Sequence, residues 1–195
     1  MNSSIAIFGG SFDPVHKSHI QIANLALNFL NLNKLIFVIA YTPPHKIVQY
    51  ASIEDRISML KLATYNMNKV DISNYEAHKK MVVYSYQTLD YFRSLYQSSD
   101  IYMVIGSDSL INLFTWKNID YIAANYKFIV VKRINVDVDN DNANKYLSSC
   151  VFINEEIENI SSTKIRELIK INYAMAIPFL DTRVYNYIVE KRLYR

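Results

Sequence analysis

The sequence predicts an α/β protein with a doubly wound, mostly parallel sheet. Four short runs of apolar, aromatic and branched residues have the character of buried strands: residues 4–8, 35–41, 101–105 and 128–131. Strands that are apolar along their whole length are typical of parallel sheets, because helices cover both faces of such sheets. Segments with helical spacing alternate with these runs, which indicates right-handed crossovers. Ligands of such open sheets bind at the carboxyl ends of the strands.

Three helical segments lie between the predicted strands. In each of them the apolar residues recur at intervals that build one face: Ile20, Ala23, Leu27 and Leu30; Ile53, Ile57 and Leu60; Leu89, Phe92 and Tyr96. Ser52, with Asp55 three residues later, resembles a capping box at the start of the second helix.

The composition is that of one globular domain. The chain has 195 residues, of which 51% are hydrophobic and 20% are charged, enough for a substantial core. A net charge of +3 is too small to indicate a protein that coats nucleic acid. One cysteine, Cys150, excludes an internal disulfide framework and a cysteine-built zinc site, and it fits a reducing compartment. Because no apolar run approaches bilayer length and no basic signal-peptide flank opens the chain, we expect a cytoplasmic protein without membrane contact.

The densest group of candidate functional residues follows the first predicted strand. Gly9 and Gly10 allow main-chain amides to approach an anion, and the helix that follows supplies a positive dipole end. His16 and His19 lie one turn apart at the start of that helix, where imidazoles can donate to phosphate oxygens and become charged beside a polyanion. The segment is neither a Walker loop nor a dinucleotide fingerprint. It predicts a phosphate site.

Metal binding is a weaker interpretation of two segments. His16 and His19 lack the spacing and the intervening Glu of a metalloprotease helix, and they lack nearby cysteines. In residues 135–144 aspartates alternate as in a calcium loop, but Asn142 and Ser148 stand where that loop needs Gly and Glu. A solvated surface loop is therefore predicted for residues 135–144, and no dedicated metal site is expected.

A second cluster, Pro43-Pro44-His45-Lys46, follows the second predicted strand at the same edge of the sheet. The prolines stiffen the backbone that carries Lys46, which lowers the entropy lost when this cation is held against phosphate. A rigid surface turn accounts for the prolines equally well.

A third cluster, Ser161-Ser162-Thr163, precedes a helical segment with an apolar face. These hydroxyl groups either cap that helix or, together with Arg166 one turn later, form a nest for a triphosphate.

The predicted strand at residues 101–105 leads into Gly106-Ser107-Asp108, with Trp116 downstream. Asp108 can accept from ribose hydroxyls and Trp116 can stack on a flat ring, or the two can cap a helix and fill the core. No serine, cysteine or histidine stands in the context of an activated nucleophile. The sequence therefore favours a transfer in which a substrate supplies the nucleophile.

Two of these segments carry a family resemblance. Gly10-Ser11-Phe12-Asp13-Pro14 with His16 and His19, and residues 160–166, resemble the two signatures of the nucleotidyltransferase superfamily. Further segments make the whole chain similar to the bacterial-type nicotinate mononucleotide adenylyltransferases: Pro43 to Lys46, Tyr84 to Leu89, Ile105 to Ser109 with Thr115 and Trp116, Tyr187-Ile188 and Leu193-Tyr194. Ser18 stands where the family usually has Gly, and Ser85 stands where it often has Thr.

The resemblance implies a Rossmann-like nucleotidyltransferase fold, with residues 1–195 as one domain and a small helical part from about residue 160. It implies transfer of AMP from ATP to nicotinate mononucleotide, which gives nicotinic acid adenine dinucleotide and pyrophosphate in NAD biosynthesis. Mg²⁺ is expected to arrive with ATP, because that ion keeps phosphate and water ligands. Tyrosine-rich surfaces favour association, so a homo-oligomer is possible. The 16 tyrosines are spread along the chain, however, and do not locate an interface.

The resemblance also implies roles for individual residues. The catalytic residues that contact phosphates are His16, His19, Lys46 and Arg166. The ATP-binding residues are Gly9, Gly10, Ser11, Phe12, Gly106, Asp108, Ile160, Ser161, Ser162 and Thr163. The mononucleotide-binding residues are Tyr84, Ser85, Trp116 and Arg133.

Two other functions compete with this one. Phosphopantetheine adenylyltransferases share the first and last signatures, but they carry Thr in place of the first His and lack the Pro-Pro-His-Lys turn, so His16 and Lys46 argue against them. A non-catalytic nucleotide-binding module is supported only by Ser18.

Overall fold

The structure is a computed structural model that describes residues 3–41, 50–134 and 144–195. Its strands are β1 (Ser3–Gly10), β2 (Lys34–Ile39), β3 (Val70–Ser73), β4 (Ser99–Gly106), β5 (Lys127–Arg133) and β6 (Cys150–Ile157). They form one parallel sheet in the order β3-β2-β1-β4-β5-β6. The chain winds in one direction from β1 to β3 and in the other from β4 to β6, so the strand order reverses between β1 and β4. A crevice for a ligand is expected at that point.

Helices cover both faces of the sheet. They are α1 (Lys17–Phe29), α2 (Ile53–Ala63), α3 (Tyr75–Lys79), α4 (Ser85–Leu95), α5 (Ser107–Ile111), α6 (Ile119–Asn125), α7 (Ser162–Ile171) and α8 (Thr182–Glu190). Short 3-10 helices lie at Leu113–Thr115, Leu147–Ser149 and Tyr173–Phe179. Among the described elements, everything after β6 is helical.

The alternation of side chains along β1 divides the core in two. Ala6 and Phe8 point into a cluster with α1, α2, α7 and α8, whereas Ile5 and Ile7 point into a cluster with α4, α5 and α6. Successive residues of a strand face opposite sides of the sheet, so one strand serves both cores. Because both faces of β1 are buried, the position of the strand is well fixed, and so is the start of the loop that follows it.

The fold class predicted from the sequence is confirmed, and all four predicted strands are present. Strands β3 and β6 were not predicted, because β3 has four residues and β6 carries Glu155 and Glu156 among its apolar residues. The second predicted strand ends at Ile39, two residues before the predicted end at Tyr41.

Helix α2 begins where the sequence predicted, and its predicted apolar face packs on the core in part, since Leu60 is buried and Ile57 is partly buried. The hydroxyl of Ser52 accepts from the main-chain N–H of Asp55 at 3.0 Å, which confirms the predicted cap. The buried residues are Arg56, Met59, Leu60 and Ala63. None of the helices in the described ranges is long and apolar enough to cross a membrane.

Candidate active site

A cleft of about 1050 Å³ opens at the carboxyl ends of β1 and β4. Gly9 and Gly10 line it from the end of β1, and Asp108 and Ser109 line it from the residues after β4. Ser162 contributes from the start of α7. The cleft therefore lies at the predicted edge of the sheet and joins segments that are far apart in the sequence.

The loop between β1 and α1 is shaped by Phe12. This residue has a φ of 49°, in the left-handed region that few bulky side chains adopt, and its ring is buried. The ring packs against Phe8 and Phe37 with centroid distances of 5.6 and 5.2 Å. A Cβ atom at position 10 would come within 2.9 Å of the Phe12 ring, so Gly10 is needed for this close approach.

His19 lines the cleft and is held in place by Phe12 and by the main chain of His16. Its ring meets the edge of Phe12 at a centroid distance of 5.0 Å, and its Nδ1 accepts from the main-chain N–H of His16 at 3.2 Å. In a neutral imidazole an accepting Nδ1 leaves the proton on Nε2. The ring is therefore arranged to offer an Nε2–H donor.

His16 lies beneath His19 and does not line the cleft. The two ring centroids lie 3.7 Å apart with the ring planes tilted by 31°, and His16 is 3% exposed. Burial, with the nearby positive charge of Arg133, lowers the pKa of His16 to about 3. His16 is therefore neutral near pH 7 in this structure. The expectation that a bound polyanion favours the charged imidazole stays a prediction.

Arg166 is buried against the same loop. Its Nη1 donates to the main-chain oxygen of Asp13 at 2.7 Å, and its Nη2 donates to Thr163 Oγ1 at 3.1 Å. The Tyr50 ring lies 4.2 Å from the guanidinium carbon. These contacts hold the β1–α1 loop from the side of α7. The guanidinium is thereby in contact with Asp13, Thr163 and Tyr50.

The start of α7 is the third predicted cluster, and it lies where the sequence analysis expected it. Ser161 Oγ accepts from the main-chain N–H of Lys164 at 3.2 Å, so Ser161 caps the helix. Ser162 Oγ donates to the main-chain oxygen of Pro14 at 2.9 Å. The positive end of α7 is thereby joined to the β1–α1 loop at the cleft.

Gly106, at the end of β4, is required by two side chains. A Cβ atom there would lie 2.3 Å from Asp108 Oδ1 and 2.8 Å from Arg133 Nε. Those two atoms form an ion pair at 3.0 Å, and Arg133 Nη1 also donates to the main-chain oxygen of Ile160 at 3.3 Å. The contacts of Arg133 are thus with Asp108 and the loop before α7, and none of them is with Tyr84, Ser85 or Trp116.

The other end of the cleft is aromatic. Tyr84, Ser85 and Trp116 line it, and the Trp116 ring meets the edge of Phe128 at a centroid distance of 6.3 Å. A flat, apolar ring fits a surface of this kind. The structure thus brings three of the four predicted mononucleotide residues, Tyr84, Ser85 and Trp116, to the lining of the same cleft, where they form an aromatic wall.

Two residues of this wall were missed by the sequence analysis. Glu76 and Thr88 line the cleft, and Thr88 Oγ1 donates to Glu76 Oε1 at 2.6 Å. Burial raises the pKa of Glu76. The residues are twelve positions apart on α3 and α4, and no sequence pattern pairs them.

Five further features of the sequence analysis remain, of which two lie wholly or mostly outside the described residues. Pro43, Pro44, His45 and Lys46 lie outside the described residues, as do residues 135–143 of the predicted surface loop. Ser18 is buried in α1, and its Oγ lies 3.5 Å from the main-chain oxygen of Glu158. Burial raises the pKa of the Cys150 thiol to about 11, which fits the absence of a predicted cysteine nucleophile. In the three described ranges, no group of three or more His, Cys, Asp and Glu side chains is placed to hold a metal ion.

Comparison with known proteins identifies the class. A sequence profile of the cytidylyltransferase-like family matches residues 7–168, which include the β1–α1 loop and the start of α7. The chain therefore belongs to the cytidylyltransferase-like family.

Two curated relatives narrow the class. A protein of Endomicrobium trichonymphae, named "Probable nicotinate-nucleotide adenylyltransferase", is 65% identical over 98% of each chain. A protein of the same name from Clostridium tetani is 36% identical over 97% of this chain and 98% of its own. Within the family, the chain belongs with the nicotinate-nucleotide adenylyltransferases, as the sequence resemblance indicated.

A solved structure supports the fold. Plasmodium falciparum nicotinic acid mononucleotide adenylyltransferase, complexed with NaAD, superposes with a TM-score of 0.84 at 20% identity. The match covers 98% of this chain and 97% of the other.

Proposed function

We propose that this protein transfers the AMP group of ATP to nicotinate mononucleotide and releases pyrophosphate, a step of NAD biosynthesis. The observation that carries the proposal is one shared cleft, whose lining joins the β1–α1 loop and His19 to the aromatic residues Tyr84 and Trp116. Both substrates can thus meet in one cavity. The names of the two curated relatives support the choice of acceptor.

The reaction needs no nucleophile from the protein. An oxygen of the mononucleotide 5′-phosphate attacks the α-phosphorus of ATP, and the bond from that phosphorus to the bridging oxygen breaks. The electron pair of the broken bond leaves on pyrophosphate. The protein's contribution is to align two anions and to stabilise the charge that develops on the leaving group.

The β1–α1 loop and α7 supply the phosphate contacts in this proposal. The main chain at Gly9, Gly10 and Ser11 approaches the reacting phosphate, and His19 donates from Nε2. The start of α7, with Ser162, receives the terminal phosphates of ATP. Lys46 would add a cation from the segment outside the described residues.

His16 and Arg166 act differently from His19 in this proposal. Since His16 is buried and neutral, it orients His19 through its main-chain N–H and through the contact between the two rings. Arg166 contributes positive charge beneath the loop while its guanidinium stays bound to the oxygen of Asp13. Their assignment to direct phosphate contact stays a prediction.

The adenosine and pyridine ends of the cleft are distinguished by their chemistry. Asp108, held by Arg133 beside Gly106, offers carboxylate oxygens to ribose hydroxyls. Tyr84, Ser85 and Trp116 receive the pyridine ring. The contacts of Arg133 favour the adenosine side over the predicted mononucleotide contact.

Magnesium enters this proposal as part of the substrate. Mg²⁺ keeps water and phosphate oxygens as ligands, so a MgATP complex needs few oxygen ligands from the chain.

Pyrophosphate release from MgATP tests the proposal, with nicotinate mononucleotide, nicotinamide mononucleotide and phosphopantetheine as parallel acceptors. We expect the acid mononucleotide to be strongly preferred. Release with phosphopantetheine alone would keep the phosphate site but overturn the acceptor, and silence with all three would overturn the activity.

A matched pair of histidine variants connects the activity to the cleft. The substitution His19→Ala is expected to lower kcat by about a hundredfold, as the loss of a positioned electrostatic donor does. The substitution His78→Ala removes an exposed histidine of α3 and is expected to leave kcat unchanged. Near-normal turnover in His19→Ala would remove His19 from the catalytic residues.

A further inference from the structure

Tyr194 is buried at a distance from the sequence motifs that line the cleft. It follows α8 by four residues, has a φ of 67° and is 6% exposed. Its hydroxyl donates to Asp13 Oδ1 at 2.8 Å. This hydrogen bond joins positions 181 residues apart, and it reaches the β1–α1 loop, whose Phe12 packs against the His19 ring.

From the residues that the structure describes, Asp13 receives three hydrogen bonds in the core. The main-chain N–H of Tyr50 donates to Oδ2 at 2.8 Å, and that of Ala51 donates to Oδ1 at 3.2 Å. The third donor is Tyr194, and Asp13 itself is 2% exposed. A buried carboxylate is stable only when it is hydrogen-bonded and compensated by positive charge, which Arg56 and Arg166 provide nearby.

The position of Asp13 connects this buried cluster to the active site. Phe12, the preceding residue, lines the cleft and supports His19, while Pro14, the following residue, accepts from Ser162. Tyr50 and Ala51 continue the chain from residues 42–49, the segment that contains Lys46. The Asp13 carboxylate thus ties Tyr50 and Ala51 to the β1–α1 loop, which is proposed to bind phosphate.

We propose that Tyr194 is a positioning residue for the transfer reaction and that it acts through the Asp13 carboxylate on the β1–α1 loop and on residues 50–51. The inference rests on the proposed function for its kinetic consequence. Burial and the neighbouring Asp13 carboxylate raise the pKa of Tyr194 well above its ordinary value, so the phenol stays a donor throughout the range in which the enzyme works. Without the hydroxyl, Asp13 keeps its two main-chain donors but loses the tie to the segment after α8.

The substitution Tyr194→Phe tests the proposal because it keeps the ring and removes only the hydroxyl. We expect kcat to fall between about tenfold and a hundredfold, the effect of a misplacement of about 1 Å, while KM for either substrate changes less than twofold. The matched control is Tyr187→Phe, since the Tyr187 hydroxyl donates to Asp55 Oδ1 at the same 2.8 Å without touching the loop. The control is expected to keep the wild-type kcat.

Amide hydrogen exchange gives a second readout that does not depend on activity. In Tyr194→Phe we expect faster exchange at the amides of Tyr50 and Ala51, with no change there in Tyr187→Phe. Unchanged exchange at both amides, or equal losses of kcat in the two variants, would overturn the proposal. An inactive wild-type protein would overturn the proposed function instead, and the exchange result would still decide whether Tyr194 holds the loop.

Discussion

The buried His16 predicts an acid-sensitive fold. Its pKa is about 3 in the folded chain and 6.5 in the unfolded chain, so protons bind preferentially to the unfolded state below pH 6.5. The stabilisation from neutral His16 is therefore complete above about pH 6.5. It is lost progressively as the pH falls from 6.5 towards 3.

The magnitude follows from the pKa difference. Each pH unit below 6.5 costs about 1.4 kcal/mol of unfolding free energy while only the unfolded chain is protonated at this group. At pH 5, about 1.5 units below 6.5, the cost is about 2 kcal/mol. This result does not change if the folded pKa is one unit higher, because pH 5 still lies above it.

The assay compares the wild type with His16→Gln, in which the titrating group is absent. Thermal unfolding at pH 7 and pH 5 measures both, and carboxylate titration cancels in the difference between the two proteins. The wild type is expected to lose about 4–8 °C more than the variant, since 1 kcal/mol shifts Tm by about 2–4 °C in a chain of this size.

The control is His78→Gln, whose histidine is exposed on α3. It is expected to follow the wild type at both pH values. If His16→Gln loses as much Tm between pH 7 and pH 5 as the wild type does, His16 is not held neutral by burial and the reasoning is wrong.

Three further predictions concern the cleft. Trp116→Ala should raise KM for the mononucleotide roughly tenfold or more, as loss of ring stacking does, and should change KM for ATP little; equal increases would assign Trp116 to the core. Gly106→Ala should raise KM for ATP roughly tenfold, about 1.4 kcal/mol, because the new methyl group parts Asp108 from its arginine; an unchanged KM would contradict that role. Glu76→Gln should raise Tm more at pH 8 than at pH 4, because the raised pKa of Glu76 means that its ionised form disfavours the folded state. The amide oxygen of the new Gln can still accept from Thr88. A difference in Tm between variant and wild type that does not depend on pH would refute this.

The sequence predicted the centre of the sheet better than its edges. The central strands are continuous apolar runs, which have few alternatives to a buried strand. β3 and β6 lie at the two edges, where partial exposure permits polar residues and the apolar signal is weak. β3 is positioned by its pairing with β2, and β6 by its pairing with β5. The sequence of β3 or β6 alone does not show this pairing.

Strand ends and glycines led to the candidate residues that line the cleft, whereas the residues that support them were not predicted. Arg56 lies on the buried face of α2, where its Nη1 donates to the main-chain oxygens of Ser11 and Ala40 at 3.0 and 2.8 Å. An arginine in a helix is normally predicted to be exposed. The partners that allow Arg56 to be buried are main-chain oxygens, and because every residue has one, the sequence does not show which of them Arg56 binds. The same holds for Asp13, whose donors come from residues 50, 51 and 194.

The packing of Phe12 between Phe8, Phe37 and His19 means that the imidazole rests on the core of the protein and not on a loop alone. Conservative substitutions in that core are therefore expected to lower kcat at a smaller loss of stability than unfolding requires. A transplant of residues 9–19 to another sheet would carry the side chains of the site without the surface that aligns them.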